Sequence, residues 1–104
     1  MSQPYNRTTP FHHILRRRRQ ELRLNQAHVA EALNITPEAV GLWEAGRRRM
    51  ELDKLPRIAE ILMLQKRDFC IAALYQFHPR LYAELFGTQA PSLPRSTDEL
   101  EMHA

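Results

Sequence analysis

The chain has one cysteine, three glycines and no apolar run approaching the roughly 18 residues that a membrane-spanning helix needs. Each scarcity excludes something. A lone thiol, Cys70, cannot close an internal disulfide, and its setting in FCIAAL reads as a buried structural group rather than a nucleophile. The opening MSQPYNRTTP lacks the apolar centre of a signal peptide, so a cytoplasmic protein is expected. His12 and His13 are adjacent and face differently, while His28, His78 and His103 show no ligand spacing with Cys70, which argues against a metal. There is no nucleophile with a base, no Gly-rich phosphate loop and no carboxylate pair in an apolar setting. Neither an enzyme nor a cofactor is expected, and no small-molecule ligand is evident.

What is present favours helices. The 104 residues are 43% hydrophobic and 26% charged, with long stretches of Leu, Ala, Arg and Glu. That length suffices for one domain with its own core. Charge is uneven: residues 1–50 hold nine Arg against four Glu and carry +5, residues 51–87 are neutral, and residues 88–104 carry −2. A basic first half suggests a polyanionic partner, although a charged, solvated face produces the same excess.

Helix starts are marked by Thr9-Pro10, Thr36-Pro37 and His78-Pro79, because proline at the first helical position has no donor to lose. A first helix is expected over 10–23, with Phe11, Ile14, Leu15 and Leu22 on its apolar face. Asn25 caps a second, QAHVAEAL, with Val29, Ala30 and Leu33 inward. Thr36 caps a third, PEAVGLWEA, which buries Val40 and Trp43 and stops at a left-handed Gly46. Arg47 to Arg49 then fall in a loop. Asp53 is expected to cap a fourth helix, DKLPRIAEIL, and RDFCIAALYQF and PRLYAELF read as fifth and sixth helices, the last stopped by Gly87. Residues 1–9 read as a flexible arm and residues 88–104, polar and aperiodic, as a disordered tail.

Two short helices joined by a tight turn are the means by which one helix enters a major groove about 12 Å wide. The stretch LNQAHVAEALNITPEAVGLWEAGRRR resembles the Cro/cI-type (XRE family) helix-turn-helix of lambdoid phage repressors, with the likeness extending over residues 11–64. The resemblance implies an all-α, five-helix lambda-repressor-like domain, here with an added C-terminal helix, that binds double-stranded DNA as a homodimer in the cytoplasm. It implies that Asn25 and Gln26, at the start of helix two, meet a phosphate, with Asn25 also serving as a cap. It implies too that Arg19 and Glu44 form a partly buried ion pair between helices one and three.

On the third helix the exposed set is Thr36, Pro37, Glu38, Gly41 and Leu42, which departs from the Gln, Arg, Lys or Ser of better-known members. Glu38 can accept from cytosine N4 or simply complement the helix dipole, Thr36 can bond a base or phosphate, and Leu42 can meet a thymine methyl. No bidentate purine reader is present. Weight therefore shifts to phosphate contacts from Arg47, Arg48 and Arg49 and to DNA shape. Arg16 to Arg19 are spread around their helix, so only one or two of that run are expected at phosphates.

The fifth helix is apolar around nearly its whole circumference and needs a second cover. Either the sixth helix supplies it, or a partner subunit does, with Phe69, Tyr75, Leu81, Tyr82, Leu85 and Phe86 as the dimerisation residues. The sequence supports a DNA-binding transcription regulator, a repressor or autoregulator. The rival reading is a protein-interaction module, of antitoxin or coactivator type, that keeps this fold without reading bases.

Overall fold

The structure, a computed structural model, describes residues 10–97. The expected arm at 1–9 and the end of the tail at 98–104 lie outside the described residues. Within them the chain forms six α-helices: α1 (Phe11–Glu21), α2 (Gln26–Leu33), α3 (Pro37–Glu44), α4 (Leu55–Ile61), α5 (Lys66–Phe77) and α6 (Pro79–Phe86). A single 3-10 turn, Leu52–Lys54, precedes α4. Asp53 lies in that turn and makes no cap bond, so the expected cap at Asp53 is replaced by a tighter turn that runs straight into α4.

Local chemistry accounts for the starts. The Asn25 side chain accepts from the His28 backbone N–H at 2.7 Å, and His28 Nδ1 accepts from the Asn25 N–H at 3.1 Å, which satisfies two orphan donors reciprocally. Thr36 Oγ1 accepts from the Ala39 N–H at 3.2 Å, with Pro37 at the first helical position. Each such cap is worth about 1 kcal/mol. Four helix ends share one device: α1, α2, α3 and α4 close with a left-handed residue, at Arg23, Asn34, Gly46 and Met63. The next N–H in each case returns to a carbonyl five residues back: Leu24 to Arg19, Ile35 to Ala30, Arg47 to Leu42 and Leu64 to Ala59.

The core is continuous from α1 to α5. Phe11 and Phe69, both fully buried, pack with ring centroids 4.9 Å apart, and Phe77 meets Phe11 edge-on at 5.5 Å. Ile58, Ala59, Val40 and Trp43 complete the same cluster. Fully burying one such large side chain contributes about 1.5 to 3 kcal/mol, so α5 is an integral part of the domain. Its second side is covered by α6, through Tyr75 against Tyr82 at 4.9 Å and Tyr82 against Phe86 at 5.2 Å. Tyr82 is buried, and its hydroxyl donates to the Gln89 carbonyl at 2.6 Å.

Residues 88–97 correct the expectation of a disordered tail. Leu93 packs against the core, Asp68 accepts from the Arg95 backbone N–H at 3.1 Å and side-chain Nε at 2.8 Å, and Leu64 and Ser96 form an isolated antiparallel bridge. Gln65 N–H donates to the Arg95 carbonyl, and Thr97 N–H to that of Met63. A polar segment without periodicity is fixed here by partners supplied from the α4–α5 connection and the first turn of α5.

Candidate nucleic-acid interface

Behind α3 stands a polar network. Arg19 Nε and Nη2 donate to the two Glu44 carboxylate oxygens at 2.6 and 3.0 Å, and Arg19 Nη1 donates to the Leu24 carbonyl at 2.8 Å. Glu44 is the buried charged residue of the described core. Gln26 Nε2 adds a third donor to Glu44, at 3.0 Å. The network binds α1, the head of α2 and the tail of α3 to one carboxylate, which fixes how far α3 projects. Full satisfaction of its members is what makes such a buried pair tolerable.

On the outward side α3 presents Thr36, Pro37 and Glu38 at its amino end and Leu42 one turn on, all exposed. Gly41 is half-buried, and a Cβ there would come within 3.5 Å of the Gln26 side chain. Gly41 therefore acts as a spacer over Gln26. Gln26 itself, expected at a phosphate, is half-buried with its amide turned to Glu44. Asn25 stays exposed at the helix head, with its carbonyl engaged in the cap.

Arg47, Arg48 and Arg49 follow α3 as an exposed basic loop, held by the left-handed Gly46. Arg48 reaches Glu51 at 3.4 Å, but Glu51 is bound more closely by Lys54 at 2.9 Å. That lysine first, then Arg48, holds the exposed Glu51 carboxyl below its usual range. Arg49 lies 6.0 Å from the centroid of the Phe77 ring. Among the described residues Arg47 and Arg49 have no carboxylate partner, which leaves their charge available to an anion.

Two roles were not legible in the sequence. Arg18 belongs to the run expected to be partly solvated, yet its Nε and Nη2 donate to the Leu62 and Met63 carbonyls at 2.8 and 3.2 Å and close the end of α4. His28 completes the α2 cap from the position that glutamate or glutamine usually fills, and its place three residues after Asn25 was the available signal. The set assigned to dimerisation divides. Phe69 and Tyr82 are buried within the chain and cannot meet a partner, because Phe11 of α1 packs on the first and Tyr75 of α5 and the Gln89 carbonyl hold the second. Tyr75 is half-buried, and Leu81, Leu85 and Phe86 are exposed.

A helix pair of this geometry, braced from behind and flanked by arginines, defines a helix-turn-helix domain. Residues 15–64 match the helix-turn-helix family model, and they are a Cro/cI-type domain of the DNA-binding XRE kind. The chain is also similar to (S)-2-hydroxypropylphosphonic acid epoxidase from Streptomyces wedmorensis, at 36% identity over 63 residues. That match covers 60% of this chain and 32% of the enzyme, so the chain spans about a third of that relative's length. No solved structure matches the chain. No helix among the described residues is long and apolar enough to cross a membrane.

Proposed function

We propose that the chain is a sequence-specific, double-stranded DNA-binding transcription regulator, a repressor or autoregulator, that works as a homodimer by occluding promoter DNA. The observation that carries this reading is the placement of α3: its exposed Thr36, Glu38 and Leu42 face outward while Arg19, Gln26 and Glu44 brace its buried side. In this reading Arg47, Arg48 and Arg49 neutralise phosphates, Asn25 and the head of α2 meet another, and Glu38 with Thr36 and Leu42 discriminates bases. The exposed Leu81, Leu85 and Phe86 of α6 supply the dimer contact, and two copies read paired half-sites about one helical turn apart. Selecting bound duplexes from a random pool tests it. Enrichment of an inverted repeat is the expected result, and a pool that stays random after repeated rounds overturns the reading.

A second reading is favoured by two observations. The face of α3 has no arginine, lysine, glutamine or asparagine for bidentate base contact. The similar segment of the Streptomyces wedmorensis protein belongs to a protein named as an epoxidase. Under this reading the domain is a protein-interaction module, and α6 is its contact surface.

A further inference from the structure

A recess of about 430 Å³ opens between the start of α1, the loop after α3 and the end of α5. Its walls carry three arginines, His12, Gln76, Phe77 and Trp43, and no carboxylate. Three features adjoin it. Arg47 and Arg49 bring positive charge without a carboxylate partner among the described residues. Gln76, exposed at the rim, accepts the Phe11 N–H through its Oε1 at 3.3 Å, which leaves its amide N–H groups open to a ligand. Trp43, 3% exposed, borders both this recess and a small interior gap against Leu15, Val29 and Ile58, and its indole N–H is a buried donor with no hydrogen-bond partner.

A buried N–H without a partner costs about 1 to 3 kcal/mol of desolvation, and native structures rarely leave one without a reason. The side chains that line this recess carry cationic and N–H donors and no carboxylate. Phe77, half-buried, adds flat apolar surface beside them. His12 closes one side, with its ring so near Gly46 that a Cβ there would lie 2.9 Å from Nδ1. Burial first, and then the neighbouring His13, hold His12 below its ordinary pKa, so at neutral pH it offers a hydrogen bond rather than a charge.

We infer that this recess is a binding site for a small organic anion, a phosphate monoester or carboxylate carrying a flat apolar group. The oxyanion takes charge-assisted hydrogen bonds from Arg47 and Arg49 and an amide N–H of Gln76. The flat group lies along Phe77. Binding itself requires nothing from the DNA reading. Competition with DNA for Arg47 and Arg49 rests on it, and would make the site that of an effector.

Trp43 is the sole tryptophan of the chain, so a single indole N–H resonance and one fluorophore report on this recess. Phenyl phosphate is titrated into the full-length chain without DNA, with phenol and inorganic phosphate in parallel, while the indole resonance is followed by NMR. The expected result is a saturable shift with half-saturation below about 1 mM, weaker for inorganic phosphate and absent for phenol. Gln76→Leu should weaken it at least about threefold and Arg47→Gln with Arg49→Gln about tenfold or more. Circular dichroism confirms that each variant is folded, and His12→Gln replaces any that is not. A shift that never saturates, or one unchanged in every folded recess variant, overturns the inference. A short duplex that moves the indole resonance when phenyl phosphate does not makes the recess a DNA phosphate contact, which overturns the small-ligand site and leaves the DNA reading intact.

Discussion

The Arg19 guanidinium holds both carboxylate oxygens of Glu44 in a fork, at 2.6 and 3.0 Å, with 12% and 6% of the two side chains exposed. The pair joins residues 25 apart, and Gln26 and the Leu24 carbonyl satisfy its remaining polar atoms on the α2 side. Replacing either partner by Ala leaves a poorly solvated charge, and a loss of about 3 to 5 kcal/mol in unfolding free energy is expected. The double replacement should cost less than the sum, with a coupling of about 1 to 3 kcal/mol. Denaturant unfolding of the four proteins measures it, and strictly additive losses would show that the fork contributes nothing as a pair.

Two glycines of the same helical unit should respond in opposite directions. Gly41→Ala places a Cβ at ordinary contact distance from Gln26 and removes the entropic weakness of a mid-helix glycine, so stability should rise by about 0.5 to 1 kcal/mol. Gly46→Ala forces an alanine to a φ of +73° and sets its Cβ 2.9 Å from the His12 ring, so it should destabilise by about 1 to 3 kcal/mol. Thermal unfolding of the two variants distinguishes them. Equal effects would mean that neither the His12 contact nor the positive φ at position 46 carries the expected cost.

The starts at Asn25, Thr36 and Pro79 and the stops at Gly46 and Gly87 were legible in the sequence, whereas the expected cap at Asp53 and the stops at Arg23 and Met63 were not, and the reason is local. Asn25, Thr36, Pro37 and Pro79 act on backbone groups within a turn of themselves, so composition suffices to place them. Arg23 and Met63 adopt a left-handed conformation that neither residue type favours, and nothing in their identity announces it. The apolar girdle of α5 could not say whether Phe69 would meet α1 or another subunit, since periodicity identifies a face and not its cover. On the candidate interface the exposed face of α3 was readable from its 3.6-residue period. The inward turn of Gln26 was not, because its partner Glu44 lies on another helix.

Asp68 is one of the groups that hold residues 88–97, through the Arg95 side chain and backbone. Burial raises the pKa of this carboxyl, and the hydrogen bonds from the Arg95 side chain and backbone outweigh it, leaving the pKa below its ordinary value. Since the folded-state pKa is depressed, the stabilisation is complete above the unfolded-state pKa and is lost as pH falls through the folded-state value. Asp68→Asn should therefore accelerate hydrogen exchange at the amides of Gln65, Arg95 and Thr97 at neutral pH. It should also remove the acid sensitivity of those same signals. Unchanged protection would mean that Leu93 and the bridge to Leu64 hold the segment alone.

Assembly is expected to depend on the outer side of α6. Leu81 and Leu85 are 49% and 60% exposed on a helix whose other side is fixed by Tyr82. Charged residues at both positions, as in Leu81→Lys with Leu85→Glu, should leave the fold unaltered, because neither side chain is buried in the chain. Sedimentation should then show a wild-type dimer and a variant monomer at tens of micromolar. A wild-type monomer at that concentration removes the dimer from the proposed function, and an unaltered variant dimer moves its contact away from α6.

Positioning and reading of DNA should separate by mutation, because the two sets of residues are chemically unlike. Arg47, Arg48 and Arg49 are exposed cations in the loop after Gly46, and a phosphate contact carries no sequence information. Neutralising them to Gln should weaken binding to every duplex alike and lower the salt slope by roughly one log unit per lost contact. Glu38 stands exposed at the second position of α3, where it can accept from cytosine N4. Glu38→Ala should then relax the preference at a single base pair by about 1 to 3 kcal/mol and leave the salt slope in place. The same substitution also removes a negative charge beside the helix dipole, an effect felt equally on every duplex. Binding isotherms on the selected duplex and its single-base variants, at several salt concentrations, resolve the three cases. Loss at one base pair assigns reading to Glu38, and uniform loss reduces Glu38 to a dipole partner. Were neither the arginine nor the Glu38 variant to change DNA affinity, the interaction-module reading would take precedence, and α6 rather than α3 would be the surface to mutate next.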